Sequence, residues 1–147
     1  MIGVNHALTG ALIGGLVSNP IIAIPLAFAS HFVCDALPHF GQDPGKRNWK
    51  FKSVLAFDGV ALAVGAVIAL VTKNYFAALT AIVAISPDFI WIARFIFREK
   101  WGIIDPGPKN AFSQWHSDIQ KYERDWGVYV EIVYFAVIVY LNVVYVL

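Results

Sequence analysis

Five long apolar segments, separated by polar turns and loops, dominate this sequence and limit what the chain can fold into. In a bilayer the backbone has no water to bond with, so a spanning segment of about 20 apolar residues must be helical. Charged residues make up 14% of the chain and hydrophobic residues 59%, whereas soluble domains carry about 25% charged residues. The sequence therefore predicts one all-α membrane domain over 1–147, a helical bundle with spans at 2–17, 21–37, 53–72, 75–97 and 127–147.

The positive charges indicate the side of the membrane on which each loop lies. With these spans, the loops at 41–52 and 98–126 share one side, and the second of them carries a helix before the last span. All eleven Lys and Arg residues except Lys73 fall on that side, which the positive-inside rule assigns to the cytoplasm. No Lys or Arg precedes the first apolar segment, which argues against a cleaved signal peptide. We expect a multi-pass protein in the cytoplasmic (inner) membrane of a prokaryote.

The second apolar segment ends with two imidazoles and a carboxylate, within the sequence Ser-His-Phe-Val-Cys-Asp-Ala-Leu-Pro-His at 30–39. His31 and Asp35 are four residues apart, so on a helix they share one face. Pro38 ends or kinks that helix, and His39 can then turn back toward the same point. Two nitrogens and a carboxylate oxygen at a helix end are half of a zinc or similar metal site. The single cysteine, Cys34, excludes an intrachain disulfide and a Cys-rich zinc motif.

Further ionisable residues are expected at the same membrane face. Each costs roughly 2.5–3.5 kcal/mol to insert, so such residues are retained where they are paired or functional. The candidate metal ligands are His6, His31, Asp35, His39, Asp58, Asp88 and His116. They could bind one or two divalent metals, with an aspartate as bridge, and Asp35, Asp58 or Asp88 could act as the catalytic base. Nitrogen and oxygen ligands suit zinc, and also manganese or iron.

Simpler interpretations of the same residues remain open. Any one histidine could be a hydrogen-bonded buried group, Asp58 could pair with a loop lysine, and Asp88 could cap a helix after Pro87. The basic residues around Trp49 are most simply anchors and contacts to anionic lipid, and they could also steer a phosphate headgroup toward the site.

The H-F-x-x-D element at 31–35, followed by Pro38 and His39, resembles the signature of zinc-dependent phospholipase C and of the single-strand-specific zinc nucleases. Asn5 and His6 are similar to an early ligand segment of that superfamily. With its apolar segments, the chain resembles the membrane-bound metal-dependent hydrolases of the LexA-binding, inner-membrane-associated type.

This resemblance implies that His31, Asp35 and His6 are metal ligands. The soluble enzymes repeat the H-x-x-x-D element, and we assign ligands here to the copy at 31–35 alone. Asp58, Asp88 and His116 would then replace the second copy.

The sequence thus predicts a membrane hydrolase that acts on a phosphoester through metal-activated water, with a phospholipid headgroup reached from the bilayer as the expected substrate. The alternatives are a non-catalytic metal-binding or transport protein, and an interaction subunit with a purely structural polar cluster. Transport is less favoured, because the far halves of the first four segments carry almost no polar groups. Membrane lipid is the expected partner, and no nucleotide-binding loop or nucleic-acid partner is indicated.

Overall fold

The computed structural model describes residues 1–41, 49–89 and 111–147, and 84% of these residues are helical. The α-helices in these ranges are α1 (Gly3–Leu16), α2 (Pro20–Asp35), α3 (Trp49–Thr72), α4 (Tyr75–Ile85), α5 (Ala111–Ile119) and α6 (Gly127–Tyr145). Short 3-10 turns follow α4 at Ser86–Asp88 and α5 at Gln120–Tyr122. Two short strands, β1 (His39–Phe40) and β2 (Glu123–Arg124), are the other regular elements. The all-α prediction is confirmed.

Asparagine side chains cap the N-termini of the two helices that follow tight turns. The Asn19 side chain accepts a hydrogen bond from the Ile21 amide at 3.0 Å, and Pro20 fills the first position of α2, where an N–H is not needed. At the other turn, Lys73 adopts a left-handed backbone conformation with φ 57°. Asn74 then caps α4 by accepting from the Ala77 amide at 3.3 Å. Both turns connect antiparallel neighbours, α1 to α2 and α3 to α4.

The centre of the bundle is α1, which packs on α2, α4 and α6. Its contact with α4 is close because small residues face each other. A Cβ atom built on Gly10 would lie 2.7 Å from the Cβ of Ala84, and one built on Gly14 would lie 3.0 Å from the Cα of Ala77. The two backbones therefore meet at a distance that only glycine permits at these positions.

The end of α4 is set by Pro87. In a continuous helix the Val83 carbonyl would accept from residue 87, but proline has no N–H. The Ser86 hydroxyl donates to the Val83 oxygen instead, at 2.8 Å, and the backbone tightens into the 3-10 turn at Ser86–Asp88. Pro87 thus interrupts the regular α-helix beside Asp88.

Two helices in the described ranges, not the five predicted, are long and apolar enough to cross a membrane. They are α3, with 24 residues and none of them buried, and α6, with 19 residues. The segments at 2–17 and 21–37 form α1 and α2, of 14 and 16 residues. At 1.5 Å per residue these measure about 21 and 24 Å, shorter than a hydrocarbon core of about 30 Å. Of the predicted span at 75–97, residues 90–97 lie outside the described ranges.

A parallel strand pair, which the sequence did not predict, joins the chain after α2 to the chain before α6. His39 pairs with Glu123 and Phe40 with Arg124. Gly127, the first residue of α6, packs directly on the backbone of His39 and Phe40, where a Cβ would collide with both. This contact fixes the start of α6 beside the end of α2.

Candidate metal centre

The polar side chains of the bundle collect at one end, where α1 and α6 begin and where α2 and the turn after α4 finish. All four histidines are buried there, together with Asp35 and Asn5. α5 closes this end by packing on α2, which brings His116 to the cluster. Of the seven predicted ligands, the structure brings His31, Asp35, Asp88 and His116 into one group.

Asp35 is the centre of the cluster, and its two carboxylate oxygens face different partners. Oδ2 lies 3.1 Å from His31 Nε2 and 3.0 Å from His116 Nε2. Oδ1 lies 3.1 Å from His6 Nε2 and 2.5 Å from the backbone nitrogen of Met1. The carboxylate is fully buried. Such a carboxylate can bridge groups on its two sides.

The orientation of His31 follows from a backbone contact beyond the cluster. Its Nδ1 lies 2.8 Å from the carbonyl oxygen of Ala84, and because a carbonyl can only accept, Nδ1 carries the proton. In the neutral ring the lone pair is then on Nε2, which faces Asp35 and lies 3.1 Å from His116 Nε2. Metal-ligating histidines are commonly oriented by such an N–H donated to a carbonyl.

Four residues offer ligand atoms that all lie within 4.8 Å of one another, namely His31, Asp35, Asp88 and His116. This group could hold a metal ion. Asp88 is its least buried member, with 21% of its side chain exposed, and its Oδ1 lies 3.6 Å from His31 Nε2. Solvent therefore reaches the group from the Asp88 side. The four residues come from α2, the 3-10 turn after α4, and α5.

His6 lies beside this group without belonging to it. Its ring stacks on His31, with centroids 4.1 Å apart and planes inclined by 22°. The side chain is fully buried, yet neither ring nitrogen has a hydrogen-bond partner, although Nε2 is close to Asp35. A buried imidazole without hydrogen bonds is costly. His6 Nε2 lies 3.1 Å from Asp35 Oδ1, whereas His31 and His116 lie at Oδ2.

Burial and the neighbouring side chains act differently on His6, Asp35 and Asp88, which all lie outside α3 and α6. Burial lowers the pKa of His6 to about 3, so the ring is neutral and can offer a lone pair. Burial alone would raise the pKa of Asp35, but the surrounding imidazoles of His116, His31 and His6 outweigh burial and hold the pKa well below its usual range. Burial raises the pKa of Asp88.

His39 and Asp58, both predicted as ligands, are not part of the four-residue group. His39 Nδ1 donates to the Leu37 carbonyl at 2.7 Å, and its buried Nε2 has no hydrogen-bond partner and lies 3.8 Å from Glu123 Oε1. The parallel pairing with β2 determines this position. Asp58 reaches the start of α1, where its two oxygens accept from the Gly3 and Val4 amides.

Two polar residues near the cluster were missed in the sequence. The Gln120 amide donates to Asp35 Oδ2 and also lies 3.4 Å from His116 Nε2. Its position four residues after His116 could have indicated a shared helix face. Glu131 binds the Ile2 amide and the Asn5 side chain, and its isolation within an apolar segment was the available signal.

Comparison with known proteins finds no matching family model, no matching curated protein and no matching solved structure. A function for this chain has to be inferred from the chemistry of its own residues.

Proposed function

We propose that this protein is a membrane-embedded, metal-dependent hydrolase that acts on phosphoesters. The observation that carries the proposal is the buried group of His31, Asp35, Asp88 and His116, whose ligand atoms lie within 4.8 Å of one another. Two imidazole nitrogens and two carboxylates without a thiolate suit zinc, with manganese and iron as alternatives. A bound divalent ion would lower the pKa of water and neutralise charge that develops on a phosphoryl group.

The roles of the residues follow from their exposure and hydrogen bonds. His31 and His116 offer Nε2, and Asp35 offers Oδ2, from fully or almost fully buried positions. Asp88 lies at the solvent-accessible side, where its carboxylate, when it is not a metal ligand, can accept a proton from an attacking water. Gln120 holds Asp35 Oδ2 through a hydrogen bond, which orients that oxygen.

A second ion would take the other side of Asp35. His6 Nε2 lies 3.1 Å from Asp35 Oδ1 and has no hydrogen-bond partner. His6 and Asp35 would hold this second ion, which would supply further stabilisation of the attacking and leaving oxygens of a phosphoester. His39 is not part of the four-residue group, so we do not assign it as a ligand of either ion.

The apolar surface of α3 supports a membrane location. None of its residues is buried, and large side chains such as Val60, Leu70 and Val71 are 65–76% exposed. In water such a continuous apolar surface is unfavourable unless another surface covers it, whereas in a membrane the lipid tails would cover it. Exposed Trp49 and Trp126 flank the starts of α3 and α6, at the end of the bundle that carries the cluster, as interfacial aromatic residues do.

A site at that depth would meet lipid headgroups, so we propose a phospholipid headgroup as the substrate. The positive charges point to one side of the membrane. Near the end of the bundle that carries the cluster lie Lys50 and Lys52, at the start of α3, and Lys121 and Arg124, shortly before α6. Lys73 lies in the turn between α3 and α4, at the other end. By the positive-inside rule the end that carries the cluster faces the cytoplasm of a prokaryotic cell.

Metal analysis of the purified protein tests the proposal. Wild type and the exposed-carboxylate control Asp118→Asn, on the same helix as His116, should retain zinc, manganese or iron. His31→Ala and Asp35→Ala should lose it. Equal, near-zero metal in all four proteins would contradict a metal centre.

A non-catalytic metal site is the second candidate, because four protein ligands can close a structural coordination sphere. Turnover of phosphodiester and phospholipid substrates, with and without chelator, separates the two. For a hydrolase, Asp88→Asn should keep most of its metal and lose chelator-sensitive turnover. A metal-loaded wild type without turnover on any phosphoester would favour the non-catalytic site.

A further inference from the structure

Two carboxylates from the two long apolar helices meet the first turn of α1. Asp58 of α3 accepts from the Gly3 amide through Oδ2 at 3.1 Å and from the Val4 amide through Oδ1 at 2.6 Å. Glu131 of α6 accepts from the Ile2 amide through Oε1 at 3.0 Å. Three consecutive amides at the start of α1 are therefore bound by side chains that are remote in sequence.

α1 has no capping side chain of its own. Its N-cap residue, Ile2, makes no side-chain cap, and no acidic residue lies in the first turn. The free amides and the positive end of the helix dipole need an acceptor, and buried carboxylates need donors. Asp58 and Glu131 supply the acceptors and satisfy their own charge in the same contacts.

The first turn of α1, which these carboxylates bind, leads directly into His6. Glu131 also accepts from the side-chain amide of Asn5 through Oε2 at 2.5 Å, and Asn5 precedes His6. His6 itself makes no hydrogen bond through either ring nitrogen, yet Nε2 lies 3.1 Å from Asp35 Oδ1. Its placement therefore depends on the backbone of α1 and on stacking with His31.

We propose that Asp58 and Glu131 are positioning residues that clamp the start of α1 and so hold His6 against Asp35. They act through the α1 backbone and do not touch the ligand group. Asp58 lies in α3 and Glu131 in α6. The position of His6 relative to Asp35 therefore depends on the positions of these two long apolar helices. The part of this inference that concerns metal rests on the proposed function, whereas the placement of His6 does not.

The first experiment measures the placement of His6 in metal-free, full-length protein. Diethyl pyrocarbonate modifies accessible neutral imidazoles, and mass spectrometry gives the rate at each histidine. In Asp58→Asn one side-chain oxygen remains to accept from the two amides of Gly3 and Val4. In Glu131→Gln one side-chain oxygen remains to accept from the Ile2 amide and the Asn5 side chain. We expect both variants to raise the modification rate of His6 several-fold over wild type and over the control Asp118→Asn. A His6 rate equal to wild type in both variants would overturn the clamp.

The second experiment is a double-mutant cycle on cobalt(II) binding, followed by its absorption bands. If Asp58 acts through His6, Asp58→Asn should weaken binding about 10-fold in wild type and have no further effect in His6→Ala. An equal effect in both backgrounds would overturn the assignment. A wild type that binds no cobalt would contradict the proposed function, and the modification rates would then decide the clamp alone.

Discussion

His31 donates a hydrogen bond through Nδ1 to the carbonyl oxygen of Ala84, at 2.8 Å, and so presents Nε2 to the ligand group. The Ala84 carbonyl lies in the last turn of α4, immediately before the 3-10 turn that contains Pro87. The interruption of α4 therefore orients the side chain of His31 in α2.

Replacing Pro87 should weaken the centre without removing a ligand. In Pro87→Ala the new N–H can bond to the Val83 carbonyl and extend α4, which redirects the carbonyls at its end. We expect metal affinity to fall about 10–100-fold, as it does when partners of ligating histidines are lost. Competition with a chelator measures this. Pro25→Ala, at an exposed site within α2, is the control, and equal affinities in the two variants would contradict the prediction.

Local spacing explains which parts of the centre the sequence could predict. His31 and Asp35 share a helix face because they are four residues apart, and Pro87 identifies the break that exposes Asp88. The position of His39 could not be predicted in this way, since it depends on pairing with Glu123 far along the chain. The contacts of Asp58 with α1 are likewise set by tertiary packing.

The span count failed for a related reason. Apolar character alone does not distinguish a spanning helix from a short one, and α1 and α2 end at 14 and 16 residues. Turn residues and the polar cluster end these helices before they reach the length of a bilayer core.

The buried neutral state of His6 should make the metal-free protein sensitive to acid. The pKa of His6 is about 3 in the folded chain and 6.5 in a free imidazole. Between these values the unfolded chain binds a proton that the folded chain does not, so the free energy of unfolding rises with pH and is lost as pH falls. The slope contributed by one such group is about 1.4 kcal/mol per pH unit.

Chemical unfolding of metal-free wild type and His6→Gln, measured across this pH range, tests the slope. The difference between the two proteins should grow smaller as pH falls from 6.5, because only wild type loses the contribution of His6. A difference that is constant with pH would show that His6 is charged in the folded protein.

The close contact between α1 and α4 should not tolerate a methyl group. Gly10→Ala would place a Cβ 2.7 Å from the Cβ of Ala84, so the helices must separate, at a cost of about 1–3 kcal/mol. Gly65→Ala is the matched control on α3, where no atom lies within 4 Å of the added Cβ. There the change should be neutral or stabilise by up to about 1 kcal/mol through helix propensity. Thermal unfolding in detergent measures both, and equal midpoints would contradict this packing.

A chain of partly buried hydroxyl and thiol groups should contribute to stability without affecting the metal. The Thr9 hydroxyl donates to the Asn5 carbonyl at 2.7 Å, so it accepts from the Tyr134 hydroxyl at 2.8 Å, which in turn can accept from the Cys34 thiol at 3.3 Å. These contacts join α1, α2 and α6. Tyr134→Phe removes the middle of the chain and should cost about 1 kcal/mol, whereas Tyr140→Phe, at a 66% exposed position on the same helix, should cost nothing measurable. Because the hydrogen bonds of Tyr134 go to Thr9 and Cys34 and not to a member of the ligand group, metal content should equal wild type in both variants. Loss of metal from Tyr134→Phe alone would instead make this hydrogen-bonded chain part of the support for Asp35, the residue after Cys34.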